Sequence, residues 1–403
     1  MPFQQIKVKL ETVTPLFLSG NDQNTVELRA ASIRGQLRYW YRALLGGLGI
    51  NESNKLHELE SKVFGKEESG SPVLVRVKDI RWADGRIKQN KELDFRFDKM
   101  KNERRYSGLT FLFYSTRLGG NERPYADIGT TFLVEFSCFD KEAKKWLALA
   151  ASALWCWENF GGLGARSRRG GGNIQVNDIK DDNGFLTELP DFTLKAVNNP
   201  QDLKTHIEKG LKKVRSTVAI LNNIKTVGIS TKPKFPLLHP NHTNIWIVQE
   251  TWNDPISAMN YVGDKFKQFR YKRCPDFPSV LRDYLNRGTI PTLERFVFGL
   301  PLQFRYRSAP GKQAMVKPEH FTRRASPLML RFVKLPNRKY CLLLIYFKCE
   351  FLPEEEKLKI EDHSMGQRQT PQFMNTPNIT IQQNVIQEFC NQFKGFLEVR
   401  NWL

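Results

Sequence analysis

The chain has 403 residues, more than one hydrophobic core usually supports, so two domains are expected. Its 40% hydrophobic content and 28 phenylalanines exclude a disordered chain, and no apolar run approaches the roughly 20 residues that span a bilayer. Sixty-two Lys and Arg against forty-two Asp and Glu leave a net charge of +20, a surplus that calls for a polyanionic partner, with nucleic acid and an anionic membrane as the two candidates.

The opening "MPFQQIKVKLETV" alternates polar and apolar residues, as a strand does and a signal peptide does not. A strand is therefore expected within residues 3–14, in a cytoplasmic protein, with Ile6, Val8 and Leu10 facing one way. Pro15 and Ser19-Gly20-Asn21 end it. "ASIRGQLRYWYRALLGG", residues 31–47, predicts a helix with Ser32 as N-cap, Gly46-Gly47 as stop, and Ile33, Leu37, Trp40 and Leu44 as its apolar stripe. Arg34, Arg38 and Arg42 fall four apart on another face. Strands follow through Val73, Val75 and Val77 and over residues 130–139. A helix through "KKWLALAASALWCWENF" then runs to Phe160 and stops on Gly161-Gly162, and "NIQV" after residue 172 reads as a strand.

The second half repeats part of the first. "VFG" at 63–65 followed by "GSPVLVRV" at 70–77 is matched by "VFG" at 297–299 followed by "ASPLMLRF" at 325–332. Asp181-Asp182-Asn183-Gly184, Pro190 and Asn198-Asn199-Pro200 make residues 180–215 read as turn chemistry, which sets the expected domains at 1–185 and 186–403. A helix is predicted from Asp254-Pro255, with Ile256, Met259, Phe266 and Phe269 inward. "YCLLLIYFKCEF" reads as a central strand paired with 328–334 through the Pro336-Asn337 turn. Residues 353–382 read as a linker, and Ile386, Phe389 and Phe393 close the chain on an amphipathic helix. The six cysteines show no C-x-x-C spacing and sit mostly in apolar strings, so reduced core thiols are expected and a zinc site is not.

"GGLGARSRRGGG", residues 161–172, carries six glycines, three arginines and no acid. It lacks the lysine and hydroxyl of a Walker loop, since Asn173 follows Gly172. It also leaves a helix and enters a strand, the reverse of a dinucleotide-binding turn, and Ser167 stands where the third glycine belongs. What remains is anion binding: glycines let successive N–H groups converge on a phosphate, and Arg166, Arg168 and Arg169 add forked donors. Such a loop grips a backbone without reading bases.

"TPLFLSGNDQNTVELRAASIRGQLRYWYRALLGG", "VFG…GSPVLVRV" and "ENFGGLGARSRRGGGNI" together resemble the RAMP superfamily of CRISPR-associated proteins. Within it they are most similar to the first-numbered subunits of the Cmr complex, the type III-B RNA-guided effector. The resemblance covers much of residues 3–178 and continues more weakly through "FRYKR" and "RFVFGLPLQFRYRS". It implies an α+β fold of two ferredoxin-like domains with antiparallel sheets. It also implies RNA contacts at the first helix start (Ser32, Arg34, Gly35, Arg38) and at the glycine-rich loop (Gly162, Gly164, Arg166, Ser167, Arg168, Arg169, Gly170, Gly171). Implied partners are guide RNA, single-stranded target RNA and other RAMP subunits, with this subunit near the guide 3′ end and cleavage assigned elsewhere in the complex.

An enzyme hidden in the chain needs histidine or paired acids near a scissile phosphate. Of the six histidines only His239 and His242 are close, in "LLHPNHTN", and they read as a surface loop without a third ligand. His320, in the basic loop "VKPEHFTRR", is the best single acid–base candidate, and Asp22 in "SGNDQN" reads as turn chemistry. Trp40 belongs to the apolar stripe. Arg305, Arg307, Arg323 and Arg324 give the second half its own positive patch. The expectation is thus a non-catalytic RNA-binding subunit without metal or cofactor. The rival is a stand-alone, metal-independent endoribonuclease that processes guide RNA.

Overall fold

The computed structural model describes residues 3–93, 108–116, 123–181, 184–225, 228–229, 231–272, 279–286, 293–306, 308–366, 370–375 and 379–403; Cys274 and Arg307 lie outside these. The first unit runs β1 (Gln4–Thr12), α1 (Ala30–Gly47), α2 (Ser53–Phe64), β2 (Val73–Arg81), α3 (Gly108–Phe113), β3 (Thr131–Cys138), α4 (Ala143–Phe160) and β4 (Ile174–Asp181). Its strands pair antiparallel in the order β2-β3-β1-β4, the strand–helix–strand, strand–helix–strand arrangement of a ferredoxin-like fold. The N-terminal alternation is realised as expected: Ile6, Val8 and Leu10 are buried under α1 and α4, whose Trp40, Leu44, Leu154 and Trp157 complete the core.

α5 (Pro200–Leu221) follows, and then β5 (Thr243–Val248), α6 (Pro255–Lys272), β6 (Leu302–Arg305), β7 (Gln313–Pro318), β8 (Leu328–Lys334), β9 (Tyr340–Phe347), β10 (Lys357–Asp362), β11 (Gln372–Asn375), α7 (Ile379–Cys390) and β12 (Phe396–Glu398). One sheet, ordered β12-β5-β9-β8, repeats the topology of the first unit. β9 is central and entirely buried, and it pairs with β8 as its sequence predicted. A third antiparallel sheet, β11-β10-β7-β6, is assembled from two insertions, one before β8 and one after β9.

The sequence repeat is spatial as well. β2 and β8 are both the second strand of their unit and both an edge. Gly65 and Gly299 each end "VFG" at positive φ (79° and 113°), where a side chain would be strained. Each lies against the Ser-Pro pair that opens the strand: a Cβ would stand 2.8 Å from Ser71 N and 3.2 Å from Ser326 N respectively. In both copies that serine's Oγ accepts the N–H two residues on, at 3.2 Å from Val73 and 3.2 Å from Leu328.

Three expectations are corrected. Residues 200–215, read as turns, belong to α5: Asn199 accepts from the N–H groups of Gln201 and Asp202 at 2.9 and 3.0 Å, and Pro200 fills the first turn. The Asn-Pro signal was a helix start, because proline's missing donor costs nothing there. α5 buries Leu203, Ile207, Leu211, Val214 and Val218, and Gly210 lets Trp155 of α4 come close. Residues 353–382, read as a linker, contain β10 and β11; Leu358 and Ile360 turn inward while charged neighbours hide the alternation. α1 begins at Ala30 with Arg29 in the N-cap position, so Ser32 lies inside the first turn.

Five cysteines (138, 156, 341, 349, 390) are free and buried. No helix among the described residues is long and apolar enough to cross a membrane. Asn199→Ala is expected to lower stability by about 1 kcal/mol in chemical denaturation, and Asn199→Ser to keep most of it, because serine retains a capping oxygen without setting a second carboxylate against Asp202.

Candidate nucleic-acid interface

The glycine–arginine segment joins α4 to β4 and is built as a seam between the two units. β8 is the edge strand of its sheet, and its outward N–H groups need acceptors. Leu330 donates to the carbonyl of Arg168 at 3.2 Å, Phe332 to Asn173 Oδ1 at 2.8 Å, and Lys334 to Gln175 Oε1 at 3.2 Å. Gln175 Nε2 returns a bond to the Lys334 carbonyl at 2.9 Å. Asn173 Nδ2 also donates to the Gly161 carbonyl at 3.1 Å, so one fully buried amide ties loop, β4 and β8 together.

Two glycines meet the demands of this closeness. Gly164, at φ 78°, passes so near Phe17 that a Cβ would stand 2.3 Å from its carbonyl oxygen. Gly170, at φ 82°, lies on the Phe332 ring. Gly162 and Gly171 are buried, whereas Gly164 through Arg168 is half-buried along one side.

The three arginines have protein partners. Arg166 Nε donates to the Leu112 carbonyl, and its guanidinium stands 4.9 Å from the Tyr114 ring centre. Arg168 donates to the Ser326 carbonyl and, at 3.3 Å, to the Tyr39 hydroxyl. Arg169 donates to the Phe298 carbonyl and stacks 4.4 Å from the Phe266 ring centre. Burial lowers the pKa of Arg166 and holds that of Arg169 well below the ordinary guanidinium range. The flexible clasp suggested by composition is therefore a rigid junction.

At α1 the arginine row divides. Arg38 and Arg42 both grip Glu60, a carboxylate nearly sealed from solvent, and Arg38 Nη2 also donates to the Gly65 carbonyl at 2.9 Å. Arg34 makes no ion pair and no hydrogen bond among the described residues, and its Nε is buried without a partner. Gly35 is exposed, and a Cβ there would meet nothing within 4 Å. Ser32 is half-buried one turn earlier, the first turn holds no acid, and no side chain caps it. The Ser32 N–H turns back to the Arg29 carbonyl at 3.1 Å, while the amides of Ala30 and Ala31 make no hydrogen bond among the described residues, and with the helix dipole they favour an anion. Gly35 and Tyr39 share one stripe of the helix, so the Tyr39–Arg168 bond sets the half-exposed loop beside that start.

The enzyme candidates are not brought together. His320 Nδ1 lies 3.1 Å from Glu356 Oε2, with the ring exposed. His239 is buried rather than in a surface loop: its Nδ1 accepts the Asn241 N–H at 3.2 Å, its ring lies 5.5 Å from that of His242 with no third ligand beside them among the described residues, and burial pulls its pKa down to about 4. Asp22 accepts the Asn24 N–H at 2.8 Å, the turn its sequence suggested. Among the described residues no three metal-ligating side chains cluster. In the second patch Arg305 and Arg323 are exposed, while Arg324 is tied to the Glu350 carbonyl and to Cys349. The seam residues Asn173 and Gln175 were missed by sequence reasoning, and the alternation in "NIQV" was their only signal; Tyr39, which the sequence offers as an aromatic for base stacking, instead accepts from Arg168.

A model of the RAMP superfamily matches residues 9–175. A protein of Pyrococcus furiosus named CRISPR system Cmr subunit Cmr1-2 is 34% identical over 185 residues, covering 43% of this chain and 95% of its own length. The subunit named Cmr1-1 of the same organism is 24% identical over 344 residues, covering 83% and 85%. The crystal structure of Cmr1 from Pyrococcus furiosus in its apo form superposes over 99% of both chains, with a TM-score of 0.61 at 18% identity. A chain in the cryo-EM structure of the type III-B Cmr-beta complex bound to cognate target RNA covers 97% of this chain and 99% of its own, with a TM-score of 0.52 at 14% identity.

Asn173→Leu leaves the Phe332 N–H and the Gly161 carbonyl buried without partners, and is expected to cost about 1–3 kcal/mol in chemical denaturation. Arg34→Gln is expected to stay within about 0.5 kcal/mol of the parent.

Proposed function

Because the chain belongs to the RAMP superfamily, among the Cmr1 subunits of the type III-B CRISPR system, we propose that it is a non-catalytic subunit that holds RNA by its backbone. The observation that carries this reading is the start of α1. An uncapped, acid-free helix end stands beside an unpaired Arg34 and an exposed Gly35 that packs against nothing. A glycine in an exposed helix interior costs about 1 kcal/mol relative to alanine. Room for a sugar-phosphate chain at that point accounts for it.

In this reading Ser32, Arg34 and the first-turn amides take one phosphate, and the half-exposed main chain of Gly164, Arg166, Ser167 and Arg168 takes the next stretch of strand. Gly162, Arg169, Gly170 and Gly171 shape that stretch from beneath. Arg38 holds α1 in place through Glu60 and Gly65. The strand is guide RNA, single-stranded target RNA or both, near the guide 3′ end, and other RAMP subunits of the Cmr complex flank the chain. A related complex has been seen with cognate target RNA bound.

Gly35→Leu is expected to leave thermal stability equal or higher, since leucine is the better helix former, yet to weaken single-stranded RNA binding several-fold. Arg34→Gln is expected to flatten the slope of log affinity against log salt by about 0.7. Unchanged affinity and slope in both variants would refute the site. Metal-free incubation with repeat RNA is expected to leave it intact; discrete cleavage that disappears in His320→Ala would favour the endoribonuclease.

A further inference from the structure

The face of the first sheet turned away from α1 and α4 has a composition that the proposed interface does not use. Strand alternation and register settle which residues share it. Ile6, Val8 and Leu10 point into the core, so Lys7 and Lys9 point outward. Arg76 pairs with Glu135, which in turn pairs with Lys7, and Arg81 pairs with Thr131, which in turn pairs with Glu11; all lie on that outward face.

Its charge balance is lopsided. Glu135 is bridged by Lys78 at 2.7 Å, Glu11 by Lys334 at 2.7 Å, and Asp178 by Lys180 at 3.6 Å. Lys7, Lys9, Arg76 and Arg81 form no ion pair among the described residues. Glu135 stands opposite both Lys7 and Arg76, and Asp178 opposite Lys9, yet each acid is already bridged by another lysine, so positive charge stays in excess on β1 and β2 and favours an outside anion.

The same face ends in exposed aromatics. Phe3 and Phe139 continue the odd-numbered positions of β1 and β3 and are 47% and 53% exposed. Their rings lie 5.0 Å apart at 45°. Two phenylalanines left in solvent beside a basic sheet offer a π-surface, which nucleobases use and acidic side chains do not. Cations alone would suit an acidic protein equally; the ring pair decides for nucleic acid.

We infer that the outward face of the first sheet is a second binding site for single-stranded nucleic acid. Lys7, Lys9, Arg76 and Arg81 hold the backbone there, and bases stack at Phe3 and Phe139. It lies across the sheet from α1 and does not depend on the α1–loop interface.

The test uses the full chain and a photoreactive oligouridylate, with crosslinked peptides mapped by mass spectrometry. Crosslinks to peptides carrying Phe3 and Phe139 are expected in the parent and in Arg34→Gln alike. They should be lost in Phe3→Ser/Phe139→Ser, where crosslinks near Arg34 persist. In the Arg34→Gln background, adding Lys7→Gln, Lys9→Gln and Arg76→Gln is expected to flatten the log–log salt slope by about 2. Absence of these crosslinks from the parent protein overturns the site whether or not the variants fold. Displacement of the oligouridylate from this face by polyglutamate at equal charge concentration also overturns it, in favour of an acidic protein partner.

Discussion

The structure depends on closing one strand edge. β8 stands at the rim of its sheet, and three of its N–H groups point at the first unit rather than at a neighbouring strand. An unpaired buried amide costs about 1–3 kcal/mol, so three acceptors must be delivered at strand spacing by something that is not a strand. A loop carbonyl and two side-chain amides do so. That requirement explains the glycine–arginine segment better than its composition does. The chain must leave α4, press against Phe17 and Phe332, and arrive with the Arg168 carbonyl, Asn173 and Gln175 in line. The guanidiniums then fasten the segment to carbonyl oxygens at Leu112, Ser326 and Phe298, which no acid neutralises.

The same division between holding and offering runs through α1. Arg38 and Arg42 share a buried carboxylate, and leaving that charge unmatched would be far costlier than any exposed pair is worth. Arg34, one turn earlier on the same row, has no such duty. Residue type and spacing are identical along the row; what separates the roles is Glu60, supplied by α2. The offered positive charge therefore concentrates where the helix dipole adds to it.

Much of the fold was legible because its signals are local. β1, α4, α6 and the β8–β9 hairpin carry periods and stops that one window reveals. The duplication was readable because each glycine of "VFG" meets a Ser-Pro pair through backbone geometry that tolerates few other residues. The errors came from signals with two meanings. Asn199-Pro200 serves a turn or a helix start, and Lys357 and Lys359 conceal a strand whose inward residues number only two or three. The loop stands out by composition, but the carbonyls that its arginines reach lie 54, 158 and 129 residues away in sequence. Composition reported its charge, and only three-dimensional placement showed that its donors already hold protein carbonyls.

The seam also has a polarity. It joins the last strand of one ferredoxin-like unit, β4, to the second strand of the next, β8, so the two touching edges are not equivalent. An association between unlike surfaces lacks the two-fold symmetry of a self-complementary contact, and within this chain it leaves one edge of each kind at the extremities. Here those are β2 and β12. A molecule jointed in this manner has a distinguishable front and back.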